Sequence, residues 1–422
     1  MAGAPRRGGR RRGMSDWLHD SSKRVALAFG GDVVSYGELA RSVDAVRLPA
    51  GDGLVGCDVG LDPVALLTTV LACLDRGRPV LVGGTAEQAE RTATVLPRGT
   101  GLALRTSGSS SADGSPRVVA RTSASWLASA APLAELAALT PADRIAVTGP
   151  LHVSMHLYAA LHALWLGASV GDSLTGATAM HATPTRLARA LRDAACPPKA
   201  VVAGAAMSDG VRSAAAARGI RLTEYYGAAE LSFVLAGHAD GLRPFPGVEV
   251  ELRPVASGTE LWAGSPYLAL GVLGGGMLRR DAAGFATVGD LAERLPSGAY
   301  RVLGRGDAAI TTAGATVLAE DVEARIAALP GVAAAAVLGE PHELLGERVV
   351  AVVELASGAA LDGVVTAAHE SLSPVELPRR WFVADALPRT GSGKVARGVL
   401  RDGLAAGTLG PAFPIAFERT GA

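Results

Sequence analysis

The stretch LPRTGSGKVAR, residues 387–397, holds at its centre a GSGK with the outline of a phosphate-binding P-loop. A Walker loop needs a glycine five positions before its Gly-Lys pair and a Ser or Thr directly after it, so that backbone amides wrap the phosphates and a hydroxyl reaches Mg²⁺. Pro388 and Val395 hold those positions. Proline has no amide to donate and valine has no oxygen for a metal, so Lys394 does not sit in a nucleotide-cradling loop of that kind. A lysine in a Gly/Ser turn this late in the chain needs another role.

The segment before it reads as a compact unit. VLAEDVEARIAALPGVAAAAVLG, residues 317–339, is a helical pattern followed by a strand, and GERVVAVVEL, residues 346–355, is a further strand. Together they predict an α+β unit of about a hundred residues. Further upstream, GVEVELRPV, GTELWAGSP and GAYRVLGRGD are short alternating runs with turn residues, which predict a small β-rich subdomain from about residue 243. The first half alternates β-rich runs (RVALAF, RPVLVGG, RIAVTGP, KAVVAGAA) with helical ones (SYGELARSVDAV, DPVALLTTVLACLDRG, SDGVRSAAAARG). That βαβ rhythm predicts an α/β fold with layered sheets and helices. The expected organisation is a disordered Arg-rich leader at 1–13, with Met14 as an alternative start, a large multi-subdomain domain over 14–306, and a small domain over 307–422.

Composition narrows the classes. Of 422 residues, 49% are hydrophobic and 19% charged, the profile of a globular chain with sizeable cores. No apolar run reaches the roughly 18 residues of a membrane span. Residues 1–14 carry five arginines and no acid, but no apolar core follows, so a secretory signal is excluded. Net charge is zero, and without those arginines 35 basic residues face 40 acidic ones, so neither a nucleic acid nor a membrane surface is implied as partner. Cys57, Cys73 and Cys196 have no metal-ligand spacing, which fits buried thiols in a reducing cytoplasm.

Four further stretches could carry chemistry. TSGSSSADGSPR, residues 106–117, gathers hydroxyls, glycines and Arg117 in one loop after the strand GLALR, and suits a polyphosphate, although alone it also reads as a linker. YYGAAE, residues 225–230, ends an apolar strand with a turn glycine and then the carboxylate of Glu230, which could be solvated or could ligate a metal. VGDLAER, residues 288–294, sets Asp290 after a glycine, as a turn, a cap or an acceptor for two ribose hydroxyls. LGRGD, residues 303–307, is by itself an ordinary turn.

Their order is more informative than any one of them. A Ser/Thr/Gly loop, Tyr-Gly-x-x-Glu, Gly-Asp-Leu, Gly-Arg-x-Asp and Pro-Arg-Thr-x-Ser-Gly-Lys follow one another at wide spacings. This series resembles the adenylate-forming superfamily of acyl-CoA synthetases, adenylation domains and luciferases. The resemblance runs from VSYGELA at 34–40 to Arg397, and GRGDAAITTAGATVLAEDVEARI with PRTGSGKVAR is most similar to the short o-succinylbenzoate–CoA ligase-like members. It implies an AMP-forming acid–CoA ligase using ATP, Mg²⁺ and coenzyme A on a small-molecule carboxylic acid, with a mobile C-terminal domain.

The same resemblance implies roles for single residues. Thr106, Ser107, Gly108, Ser109, Ser110 and Arg117 would hold the β- and γ-phosphates, Glu230 would ligate Mg²⁺, and Lys394 would bridge the substrate carboxylate and the α-phosphate. Gly204, Ala205, Ala206, Tyr226 and Gly227 would flank the adenine, and Asp290 and Arg305 would fix the ribose. Asp307 matches the hinge and Gly314 the thiol channel. His152 matches the histidine that lines the acyl pocket and gates that channel, with Val153, Ala205, Ala228 and Ser232 as further pocket candidates. In HVSMH, His152 and His156 could share a helical face for zinc, but no third ligand is evident, and His156 and His162 read as partly buried helix residues.

The sequence also departs from the family pattern. The phosphate loop is three residues longer than usual, with Ser111 where a glycine is common and Arg117 where lysine is usual. Ala229 and Val288 replace threonines, and only 70 residues separate Tyr36 from Thr106. Two alternatives follow: an enzyme that loads a carrier-protein phosphopantetheine or an amine, and a non-catalytic acyl- or nucleotide-binding relative.

Overall fold

The computed structural model describes residues 23–106, 117–205, 207–238, 241–255, 258–274, 278–305, 309–312, 315–342, 345–389, 395–410 and 413–414. Of the residues singled out from the sequence, Ser107, Gly108, Ser109, Ser110, Ser111, Ala206, Asp307, Gly314, Lys394 and the leader lie outside these, as do the side chains of Thr106 and Arg305.

The βαβ rhythm of the first half becomes a parallel sheet. Strands Ser169–Gly171, Arg144–Val147, Ala179–Ala182, Lys199–Val202 and Arg221–Ala228 lie side by side and parallel. Capped helices cover it. Ser35 and Glu38 form a reciprocal capping box at the start of helix Tyr36–Ala45, and the Tyr36 hydroxyl donates to the Ala168 carbonyl at 2.6 Å, fastening that helix to the sheet. Helix Pro63–Asp75 starts at Asp62, whose carboxylate accepts from the Ala65 amide, with proline in the first turn, where its missing amide costs nothing. A second sheet runs in the order Gly271–Leu273, Arg117–Arg121, Leu102–Thr106, Val80–Val82 and Val55–Cys57. One apolar core joins both sheets, from Leu27 and Leu67 to Leu104, Leu157 and Phe233.

The β-rich region after residue 243 is less separate than its sequence texture suggests. Strand Arg221–Ala228 pairs antiparallel with Ser232–His238, then Gly241–Pro244 follows, and the pair Leu242 and Tyr300 joins the strands of 249–305, apart from Gly271–Leu273, to the same ladder. Hydrogen bonding continues across the change in texture because a sheet edge that finds a strand leaves fewer backbone groups unpaired.

Residues beyond 309 pack on cores of their own. One gathers Ile310, Val322, Ile326, Val337, Ala351 and Trp381, and another gathers Ala336, Val350, Phe382 and Leu400. Strand Gly346–Leu355 runs between Val332–His342, antiparallel, and Arg380–Val383, parallel. Helix Ala319–Ala327 begins against the strand Tyr300–Arg305. Gly304 has a φ of +91°, the left-handed region that favours glycine, and a β-carbon there would lie 2.7 Å from a Glu320 carboxylate oxygen. Arg397 meets Glu320 at 3.4 Å and also pairs with Glu323.

Among the described residues no helix is long and apolar enough to cross a membrane. Cys57 and Cys73 are buried thiols, whereas Cys196 is only partly covered.

Candidate active site

Parallel strands deliver their C-terminal ends to one edge of a sheet, where ligands of open α/β folds collect. Val147, Ala182, Val202 and Glu224 mark that edge, through the pairs Val147 with His181, Val202 with Ala182 and Val202 with Glu224. The residues that follow them include His152, Gly204 and Ala205, and the Tyr226–Glu230 stretch. The region thus gathers three of the sequence-derived groups by topology alone.

Gly227 sits within strand Arg221–Ala228, in a bulge where pairing steps from Tyr226 with Leu235 to Gly227 with Phe233. It is therefore not the turn residue expected from the sequence. A β-carbon on it would lie 2.1 Å from the Ser232 carbonyl oxygen, so the close approach of the two strands requires glycine. The turn comes after it. The Leu231 amide donates to the Ala228 carbonyl at 3.1 Å, and Ser232 takes a left-handed conformation with φ of 62°. Glu230 stands in that turn and is only 8% exposed.

Tyr226 faces across to the ribose candidate. Its hydroxyl donates to the Asp290 carboxylate at 2.5 Å, and Asp290 is paired with Arg305 across the ladder of strands Asp290–Arg294 and Tyr300–Arg305. Gly204 is half-buried and Ala205 exposed beyond strand Lys199–Val202, which neighbours the strand of Tyr226.

The phosphate-loop candidate leaves and returns at adjacent positions. Strands Leu102–Thr106 and Arg117–Arg121 pair antiparallel, with Thr106 opposite Arg117. Arg117 is 5% exposed, so its charge is set at the root of the loop.

His152 is half-buried beside Gly83, whose added β-carbon would come within 3.8 Å of the His152 β-carbon, and this places the imidazole near the end of strand Val80–Val82 of the second sheet. Burial holds its pKa below the usual imidazole value. His156 and His162 are fully buried rather than partly so. Burial, followed by the charges of Arg186 and His152, pushes His156 down to about 4. His162 also falls to about 4 through burial and has its Nε2 2.9 Å from the Ala130 carbonyl. Among the described residues no group of three or more His, Cys, Asp or Glu side chains could hold a metal ion, so the zinc reading of HVSMH has no support.

One buried carboxylate without a cage of ligands does fit Mg²⁺, which takes one or two protein carboxylates and completes its shell with water and substrate phosphates. Sequence reasoning missed two arginines near Glu230. Arg121 donates to the Ala229 and Tyr267 carbonyls, and Arg280 to the Ala269 carbonyl. The one available signal was an arginine within the apolar run RVVAR, a strand buried along its whole length.

A model of the AMP-binding enzyme C-terminal domain matches residues 321–394. An uncharacterized acyl–CoA ligase of Bacillus subtilis, YhfT, is 28% identical over 326 residues, which is 69% of this chain and 66% of that protein. A probable 2-succinylbenzoate–CoA ligase of Mycobacterium tuberculosis is 30% identical over 294 residues, 65% of this chain and 73% of that one. Among solved structures, the o-succinylbenzoate CoA synthetase of Bacillus subtilis in complex with its acyl-adenylate intermediate superposes with a TM-score of 0.77 at 18% identity, covering 92% of this chain and 97% of that one. The order of motifs, the fold and these likenesses agree: the chain belongs to the acyl-CoA ligase family of adenylate-forming enzymes.

Proposed function

We propose that this chain is an AMP-forming acid–CoA ligase that uses ATP, Mg²⁺ and coenzyme A on a small-molecule carboxylic acid in the cytoplasm, with an N-terminal nucleotide-binding domain over 14–306 and a mobile C-terminal one over 307–422. The observation that carries the reading is Tyr226 bound to Asp290, opposite Arg305, on the strand that leads into the Glu230 turn. The aromatic ring for adenine and the metal-binding carboxylate thus lie four residues apart along the chain, with the ribose acceptor hydrogen-bonded to the first of them.

A carboxylate reacts poorly with a thiol because its leaving group is oxide. In the proposed first step its oxygen attacks the α-phosphorus of ATP, the bond to pyrophosphate breaks, and an acyl-adenylate forms. Thr106 and Ser107 to Ser110, with Arg117, hold the outgoing phosphates, and Lys394 offsets charge between carboxylate and α-phosphate. Glu230 holds Mg²⁺, which when bound supplies charge neutralisation at the phosphates. Gly204, Ala205, Ala206, Tyr226 and Gly227 flank the adenine, while Asp290 and Arg305 fix the ribose. In the second step the CoA thiol loses its proton and attacks the acyl carbon, and AMP leaves. Asp307 is the pivot and Gly314 borders the thiol channel, with His152 at its mouth.

The test is pyrophosphate release with a panel of carboxylic acids, followed by product mass with free CoA. Release and a thioester mass support the proposal. Release without a thioester assigns the adenylate to a carrier-protein or amine acceptor, and no release with any acid overturns the catalytic reading.

A further inference from the structure

Arg121 ends the strand by which the chain returns from the phosphate loop, and it is 0% exposed. Its guanidinium lies inside the main core. Nη1 donates to the Ala229 carbonyl at 2.5 Å, Nη2 donates to the Tyr267 carbonyl, and Nε has no hydrogen-bond partner. The cation lies 5.4 Å from the centre of the Trp126 ring. A buried cation with incomplete hydrogen bonding is expensive, and an apolar residue of similar volume would serve packing better.

The acceptors explain why a cation stands there. Ala229 is the residue before Glu230. Tyr267 opens a segment whose Ala269 amide donates to the Glu230 carbonyl at 2.8 Å, and whose Leu270 amide donates to the Ala120 carbonyl at 2.7 Å. Arg280 closes the other side by donating to the Ala269 carbonyl. The peptide units flanking the Glu230 side chain are thus tied on both sides, and one tie comes from the strand that carries Arg117. Burial lowers the Arg121 guanidinium to about 10, and the Glu230 charge works against that fall, so the residue stays cationic at neutral pH.

We propose that Arg121 is a positioning residue that fixes the Glu230 turn to the strand Arg117–Arg121, so that the metal ligand meets MgATP in a set orientation. This rests on Glu230 as the Mg²⁺ ligand. The experiment reads binding without turnover: calorimetric titration of ATP with and without Mg²⁺ into the parent, Arg121→Met, Arg121→Lys, Glu230→Gln and the Arg121→Met/Glu230→Gln double variant. Removal of a residue that orients a metal ligand typically costs 10- to 100-fold in metal affinity. We expect Arg121→Met to raise the MgATP Kd by about tenfold while Mg²⁺-free ATP affinity stays within about twofold, Arg121→Lys to recover part of the loss, and the double variant to match Glu230→Gln alone.

Parent-like MgATP binding by Arg121→Met, or losses that add in the double variant, would overturn the proposal and leave the Glu230 assignment standing. Parent-like binding by Glu230→Gln, or a parent that binds no MgATP, would overturn the metal reading and the Arg121 role with it. If both Arg121 variants lose the parental circular dichroism, the residue serves the fold alone and the proposal fails.

Discussion

The Tyr226 hydroxyl donates a 2.5 Å hydrogen bond to Asp290, and so connects the last residue before the Gly227 bulge to a carboxylate 64 positions later in the chain. A phenol bound to one of its oxygens holds that carboxylate in one orientation. Tyr226→Phe keeps the ring and removes the donor. A hydrogen bond to a charged group is worth about 1.5–3 kcal/mol, so we expect the KM for ATP to rise about 10- to 100-fold with little change in the KM for the acid. Equal KM values for ATP in parent and variant would remove the ribose role of Asp290.

Lys394→Ala separates the two half-reactions. We expect acyl-adenylate formation to fall by a factor on the order of 10², the usual cost of losing one electrostatic donor in a water-excluded site. Supplied with synthetic acyl-AMP and CoA, the variant should make thioester at close to the parental rate. An unimpaired first step would return GSGK to an ordinary surface turn.

Three buried imidazoles make stability depend on pH. His156 and His162 are lowered to about 4 and His181 to about 3, in each case first through burial, and His181 next through the charges of His162 and His156. Below an unfolded value of about 6.5 the unfolded chain binds protons that the folded one refuses, so stability is full above that pH and is lost as pH falls toward 4. Each histidine contributes up to about 1.4 kcal/mol per pH unit in that window. Tm measured from pH 7 to pH 5 should fall steeply, and the fall should be shallower in His181→Asn. A flat profile would mean that the imidazoles reach solvent.

Ser232 stores strain. A left-handed backbone costs a residue with a β-carbon about 1–2 kcal/mol, while glycine loses about 0.5–1 kcal/mol more conformational freedom on folding. Ser232→Gly should therefore gain about 0.5 kcal/mol, read as a Tm rise of about 1–2 °C. A lower Tm would show that the serine hydroxyl contributes more than its backbone costs.

Much of the fold could be read from sequence because its signals are local. Ser35 with Glu38, and Asp62 before Pro63, announce helix starts within four residues. The parallel strands follow from apolar runs between helical patterns. The continuity of the sheet past residue 243 was not legible, since it hangs on one pair, Leu242 with Tyr300, between residues 58 positions apart. The site divides in the same way. Tyr226, Glu230 and Asp290 carry recognisable neighbours, and family order points to them. Arg121 has none, because its partners are backbone carbonyls at positions 229 and 267, and a carbonyl leaves no mark in an amino-acid sequence. Gly227 reads as a turn in the sequence because glycine serves turns and close approaches alike, and the carbonyl of Ser232 that distinguishes them lies on another strand.

The contact between Gly304 and Glu320 has a mechanical meaning. Glu320 touches the strand Tyr300–Arg305 on one side and Arg397 on the other, and Arg397 lies three residues past Lys394. One carboxylate therefore acts as a push-rod between two segments that share no sheet. A methyl group added at position 304 would displace that carboxylate, and Arg397 is the cation paired with it. Glycine at 304 leaves that carboxylate room to lie against the strand.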